Sequence, residues 1–221
     1  MVVATALVAT MGSAANYLIF HVIQDNESLV DFLQRFDLGH EPSLPNFFSS
    51  LLNLFAAILA FLTARQAAKA KLSWYFVGIV LVFMALDETI MFHEMFNSAL
   101  QLIGIESGKY YFAWTLVGLG FAIFVFIFAL PILIHSSKRT AIMILVSGFV
   151  YVSGALGVEN MAANIMYEAG SEEDGVKTIA HWICQTIEES LEMAGMALFV
   201  DTLLVNLCRK GFDVRIISEN A

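Results

Sequence analysis

Six apolar runs, each about as long as a helix that crosses a bilayer, leave this chain little choice of fold. A hydrocarbon core about 30 Å thick takes roughly 20 helical residues. The runs lie near 2 to 23, 46 to 64, 73 to 98, 110 to 134, 141 to 166 and 179 to 207. With a mean hydropathy of +0.76 and only 14% charged residues, the composition lies outside that of soluble globular domains. The expectation is an all-α, polytopic integral membrane protein, with residues 1 to 221 forming a single bundle of six transmembrane helices. Ser13-Ala14-Ala15 in the first run resembles a cleavage site, but no basic region precedes it, so the run is read as a retained first span.

Lys and Arg in the connections set the expected orientation. Arg65, Lys69, Lys71, Lys138, Arg139, Arg209, Lys210 and Arg215 fall on one side, against Arg35, Lys109 and Lys177 on the other. The excess places both termini in the cytoplasm. The opposite connections are acidic, as in QDNESLVDFLQRFDLGHE and YEAGSEEDGVK. Together with the net charge of −9 they exclude nucleic acid as a partner. Between the first two runs, Leu29, Phe32, Leu33 and Phe36 recur at helical spacing, which predicts a short interfacial helix near 26 to 37. Gly39 comes just after it, and Pro45 suits the first turn of the next span. Cys184 and Cys208 sit about 36 Å apart on one predicted helix at 1.5 Å per residue, too far to pair.

The apolar runs carry polar stripes. His181, Gln185, Glu188 and Glu192 in HWICQTIEESLEMAG are spaced i, i+4, i+7, i+11 and share one helix face, with Glu189 beside it. Similar stripes are Asp87, Met91, Glu94 and Ser98 in span three; Ser153, Gly157, Asn160 and Asn164 in span five; and Asn46, Ser50, Asn53 and Ala57 in span two. Glu88, His93 and Glu159 lie off these lines. Every stripe falls in the outer half of its span, and the inner halves are nearly pure hydrocarbon, as in LFAAILAFL and MAGMALFVDTLLVNL, where Asp201 is the one charge.

Seven carboxylates, Asp87, Glu88, Glu94, Glu159, Glu188, Glu189 and Glu192, would cost on the order of 10 to 20 kcal/mol if left uncompensated in a membrane. No Lys or Arg lies within the outer halves of spans two, three, five and six, so protons, water or a metal cation must compensate them. Oxygen and imidazole donors converging from facing helices suit iron, manganese or zinc. Asp87, Glu94, His181, Glu188 and Glu192 are the expected ligands, with Glu88, His93, Glu159 and Glu189 as further ligands or as groups that orient them. No Glu is followed by His at the third position, which departs from soluble di-iron bundles, and no His-Glu-x-x-His helix is present. The competing readings are a hydrogen-bonded network of protonated carboxyls, a proton or cation transporter, and a non-catalytic subunit of a larger membrane complex. Transport is disfavoured by the apolar inner halves, which give no polar route to the cytoplasm. A haem is disfavoured by the ring of acids around His93 and His181.

The stretches LDETIMFHE and EESLEMAG, with FDLGHEPSLPNFFSS before span two, resemble a group of functionally uncharacterised six-pass bacterial inner-membrane proteins that share an LDE...HE helix and an EE-x-LEM-x-G helix. The resemblance touches most of the chain and implies fold, topology and an inner-membrane location, but no reaction. Intramembrane hydrolases built on Ser, Asp and three His fail on motif, since no His-x-x-x-His pair occurs. The expected partners are the lipid bilayer, a lipid-soluble or periplasmic substrate, and a second copy of the chain or other membrane subunits. Any chemistry would be metal-assisted oxidation or hydrolysis.

Overall fold

The computed structural model describes residues 1–23, 26–40, 42–102, 114–170 and 172–209, and among them all regular secondary structure is helical. The elements are α1 (Val2–His21), α2 (Glu27–Gln34), α3 (Leu44–Gln66), α4 (Lys71–Ile90), α5 (Phe92–Leu102), α6 (Trp114–His135), α7 (Lys138–Val152), a π-turn (Ser153–Val158), α8 (Glu159–Ala169), α9 (Glu172–Val176) and α10 (Ile179–Arg209). Six helices are long and apolar enough to cross a membrane, α7, the π-turn and α8 counting as one. The first, second, fifth and sixth match the expected runs to within a few residues, the fourth does so over its described part, since residues 110 to 113 lie outside the described residues, and the third is shorter than expected. The short α2 also forms where Leu29 and Phe32 predict it, with the Asn26 side chain accepting from the Leu29 N–H at 3.2 Å.

The expected third span, 73 to 98, is not continuous. It stops at Ile90 and restarts at Phe92 around Met91, which adopts a left-handed conformation with φ 59°. Neither Gly nor Pro marks the break. The fifth span is continuous but changes its winding at the π-turn.

Packing follows from small residues. Ala56, Ala60 and Ala64 repeat every fourth residue on α3 and, with Ala57, are completely buried against α4 and α10. Trp74, Val77 and Leu81 of α4 and Val200, Leu203 and Leu207 of α10 close this core, which fills the end of the bundle away from the acids. In a lipid environment, such close backbone approach replaces the hydrophobic effect as the force between helices. Gly195 brings α10 onto α7, where an added Cβ would meet the Tyr151 nitrogen at 2.6 Å.

At the acidic end, residues 37 to 40 tuck between α1 and α10. Asn16 of α1 donates to Asp37 Oδ1 at 2.7 Å and to Gln185 Oε1 of α10 at 3.1 Å, and the Gly39 N–H donates to Asp37 Oδ1 at 3.0 Å. Ser13 and Thr186 share a hydroxyl bond at 2.8 Å, and the Trp182 indole donates to the Ser13 carbonyl at 3.0 Å. Asp37 is only 3% exposed. Burial pushes its carboxyl above the ordinary 3.8, opposed in part by the bonds from Gly39 and Asn16 and by the charge of His40. A carboxyl whose folded value is raised binds its proton more tightly when folded, so its contribution to stability falls as pH rises from about 3.8 through the raised value. Both bonds land on one oxygen, so Asp37→Asn keeps them. Asp37→Asn is expected to flatten that pH dependence and to match or exceed the parent at neutral pH by up to about 1 kcal/mol. Asp37→Ala strands the donors and costs about 1 to 3 kcal/mol. Thermal unfolding in detergent across acid to neutral pH checks both.

Candidate functional site: a carboxylate chamber between four helices

The acids converge where α10 faces α3, α4 and the π-turn. Glu192 sits at the centre, lining one crevice with Glu88, and Glu189, Glu188 and Glu159 lie near enough to interact with it electrostatically. Glu192, Glu88, Asp87 and Glu189 likewise act on the Tyr151 hydroxyl of α7. The acids of α4, α8 and α10 thus form one cluster against α3 and α7, as the stripes predict for α4 and α10.

Close approach of α10 to the fifth span is made by Gly154. A Cβ there would stand 2.8 Å from the Glu188 carbonyl oxygen and 3.1 Å from Glu192 Cγ, so the backbone of the π-turn is pressed against the acidic face. A π-turn inserts one residue into a helix and rotates the residues beyond it by about 100°. The result carries Glu159, at the start of α8, towards Glu192, whereas Ser153, Gly157 and Asn160, expected on the chamber face, line a groove on another side.

Beside Glu192 is a tight crevice lined by Ser49, Leu52 and Asn53 of α3, Glu88, Tyr151, Glu192, Met193 and Met196, with no room for a water-sized sphere. Two of its polar atoms, Ser49 Oγ and Asn53 Oδ1, are buried without a hydrogen-bond partner. Their side chains are 6% and 1% exposed. An orphaned oxygen in such a place costs about 1 to 3 kcal/mol unless something donates to it or binds it.

The expected ligands do not all meet there. His181 shares the helix face of Glu192 but lies eleven residues earlier, about 16 Å along the axis. It is 6% exposed and sits one turn before Gln185, at the level where α10 packs on α1 and on residues 37 to 40. Asp87 is turned to the restart of the broken span. Its Oδ1 accepts from the His93 N–H at 3.1 Å, and its Oδ2 lies 3.1 Å from His93 Nδ1, so Asp87 caps α5 while pairing with the imidazole. Glu94 belongs to α5, but its side chain lies outside the described residues. Among the described residues, no group of three or more His, Cys, Asp or Glu is already set for a metal ion. Glu88, Glu159, Glu188, Glu189 and Glu192 are therefore clustered but not preassembled into a coordination sphere.

The sequence reading does not single out Ser49 or Tyr151. Ser49 carries a signal, because it stands four residues before Asn53 on the same face. Tyr151 carries none, since a lone phenol in an apolar span reads as packing.

A family model describing a domain of unknown function, DUF8692, matches residues 1–207. The chain belongs to that family. The match spans all six long helices and the whole acidic cluster, so the chamber lies within the family's domain and not in an appendage. No curated protein and no solved structure matches the chain.

Met91 offers a test of the local geometry. A left-handed conformation costs a β-branched residue most and glycine least. Met91→Gly is expected to keep or raise stability by up to about 1 kcal/mol, whereas Met91→Val lowers it by roughly 1 to 2 kcal/mol. Thermal unfolding of the two variants in one detergent decides it, and equal destabilisation by both would contradict a left-handed break.

Proposed function

We propose that this chain is a multi-pass protein of a bacterial inner membrane, with both termini cytoplasmic, whose outer half holds a metal cation among Glu88, Glu159, Glu188, Glu189 and Glu192. The observation that carries the reading is the pair of orphaned oxygens, Ser49 Oγ and Asn53 Oδ1, buried in the same crevice as Glu88 and Glu192. Neutral oxygens and carboxylates facing one another supply acceptors in excess, and a cation satisfies them together. The orientation rests on the Lys and Arg bias of the connections, and the bacterial location on the resemblance of LDETIMFHE and EESLEMAG to six-pass inner-membrane proteins.

The donor set refines the metal. His181 stands away from the cluster and His93 is paired with Asp87, which leaves mainly oxygen donors around Glu192. Oxygen-rich sites suit hard cations, so manganese stands first among iron, manganese and zinc. A bound ion of this kind would supply Lewis acidity and, for iron or manganese, redox capacity. The chain's own part is to hold the carboxylates together through Gly154 and Gly195, to exclude bulk water by tight packing of Met193 and Met196, and to place the Tyr151 hydroxyl beside Glu192.

The second reading is a proton-bearing carboxyl network, with transport or structural glue as its role. It is favoured by the tightness of the crevice and by the lack, among the described residues, of a group already set for metal. Elemental analysis of protein purified without affinity metals separates the two. The metal reading expects close to one iron or manganese per chain. Glu192→Gln and Asn53→Leu should each lower occupancy about tenfold, a loss of roughly 1.4 kcal/mol or more, with the thermal transition kept. Asp201→Asn, exposed at the other end of α10, should leave occupancy unchanged. Full metal in both chamber variants, or none in the parent, would contradict it.

A further inference from the structure

The fifth span has a second polar feature that the carboxylate chamber does not absorb. Between α6 and the π-turn lies a groove of about 340 Å³, within the range of small-molecule sites. Leu116 and Leu119 form one wall, and Phe149 and Val152 the other, all in spans long and apolar enough to lie in hydrocarbon. The groove exists because α6 leans on α4 through Phe76, whose ring lies 5.6 Å from that of Phe124 and 4.9 Å from that of Phe128, and stands off from the π-turn. Leu116 and Phe149 remain exposed along it, so it opens on the side of the bundle that faces lipid in the membrane reading.

Its polarity runs one way. Phe149 and Val152 lie towards the cytoplasmic end in the proposed orientation, whereas Thr115 and Asn160 share the acidic end. From residue 149 to residue 160 the helix rises about 16 Å. The π-turn is the common wall of groove and chamber: Gly157 faces the groove, and Gly154 of the same turn packs on Glu188 and Glu192. π-turns within α-helices are frequent at functional sites.

We infer that this groove binds a membrane-dissolved amphiphile of one hydrocarbon chain with an uncharged hydrogen-bonding head, the chain lying along Leu119 and Phe149 and the head at Asn160. The inference rests on the membrane reading given above, and its bearing on chemistry rests on the metal reading. It names the substrate class: a lipid-soluble alcohol, carbonyl compound or quinone-like molecule brought to the chamber from the side.

Gly157 supplies the probe, since a Cβ there meets nothing within 4 Å and its φ is not in the left-handed range, so Gly157→Phe fills the groove without touching the core. The full chain in lipid nanodiscs is photolabelled with a diazirine-bearing long-chain fatty alcohol, the cross-links are mapped by mass spectrometry, and metal is measured on the same samples. Labelling is expected to concentrate at 116 to 119 and 149 to 157 and to fall about tenfold in Gly157→Phe, as a groove filled by a ring requires, with metal content unchanged. Leu119→Trp, from the opposite wall, should act alike and covers the case in which the first variant does not fold. Labelling spread evenly over the apolar faces of α6 and α7, and unchanged in the folded variants, would overturn the inference as ordinary boundary lipid. Localised, Gly157-dependent labelling in protein without metal would uphold the groove while removing the metal reading. Metal with diffuse labelling would do the reverse.

Discussion

Five half-buried carboxyl side chains, Glu88, Glu159, Glu188, Glu189 and Glu192, drawn to one place repel one another when ionised, and most of the unusual features of this molecule surround that constraint. The acidic faces of α4 and α10 are brought together with Glu159 at one end of the bundle, and the local irregularities near the cluster serve the approach. The span break at Met91 frees Asp87 to cap α5 and pair with His93. The π-turn rotates Glu159 inward and presses Gly154 on α10. Strained or irregular backbone of this kind persists only where surrounding packing holds it, and such places are more often sites than accidents.

The opposite end of the bundle explains how that strain is held. The alanine repeat of α3 packs on α4 and α10 with several side chains wholly buried, giving a stiff apolar base. Among the described residues that base holds only isolated buried hydroxyls, such as Thr63 and Thr202. The groove against α6 lies on the other side of the π-turn from the acids, so one irregular turn borders both features.

Hydropathy and helical spacing make the six long helices and the acidic faces of α4 and α10 legible in the sequence, because span length and side-chain period are properties of single helices. What they do not convey is what depends on pairs of helices. His181 shares a face with Glu192, but which neighbour packs at each height decides that only one of them meets Glu88. Helical spacing puts Ser153, Gly157 and Asn160 on one face, as they are found, but does not say which way that face points, and it lines the groove against α6 instead of the chamber. Met91 breaks a span without Gly or Pro, so no residue type announces the break. The polar stripe of span two runs through Ser50, whose hydroxyl instead donates to the Ala85 carbonyl of α4 at 2.7 Å, while its neighbour Ser49 faces the crevice.

The most direct measurement is anomalous X-ray scattering from crystals of the full chain loaded with manganese, with data collected on either side of the metal's absorption edge. A metal-holding chamber predicts one dominant peak per chain between Asn53, Glu88 and Glu192, in contact with oxygen atoms. Peaks confined to the acids of the outer connections, with nothing in the crevice, would contradict it and return the carboxylates to protons.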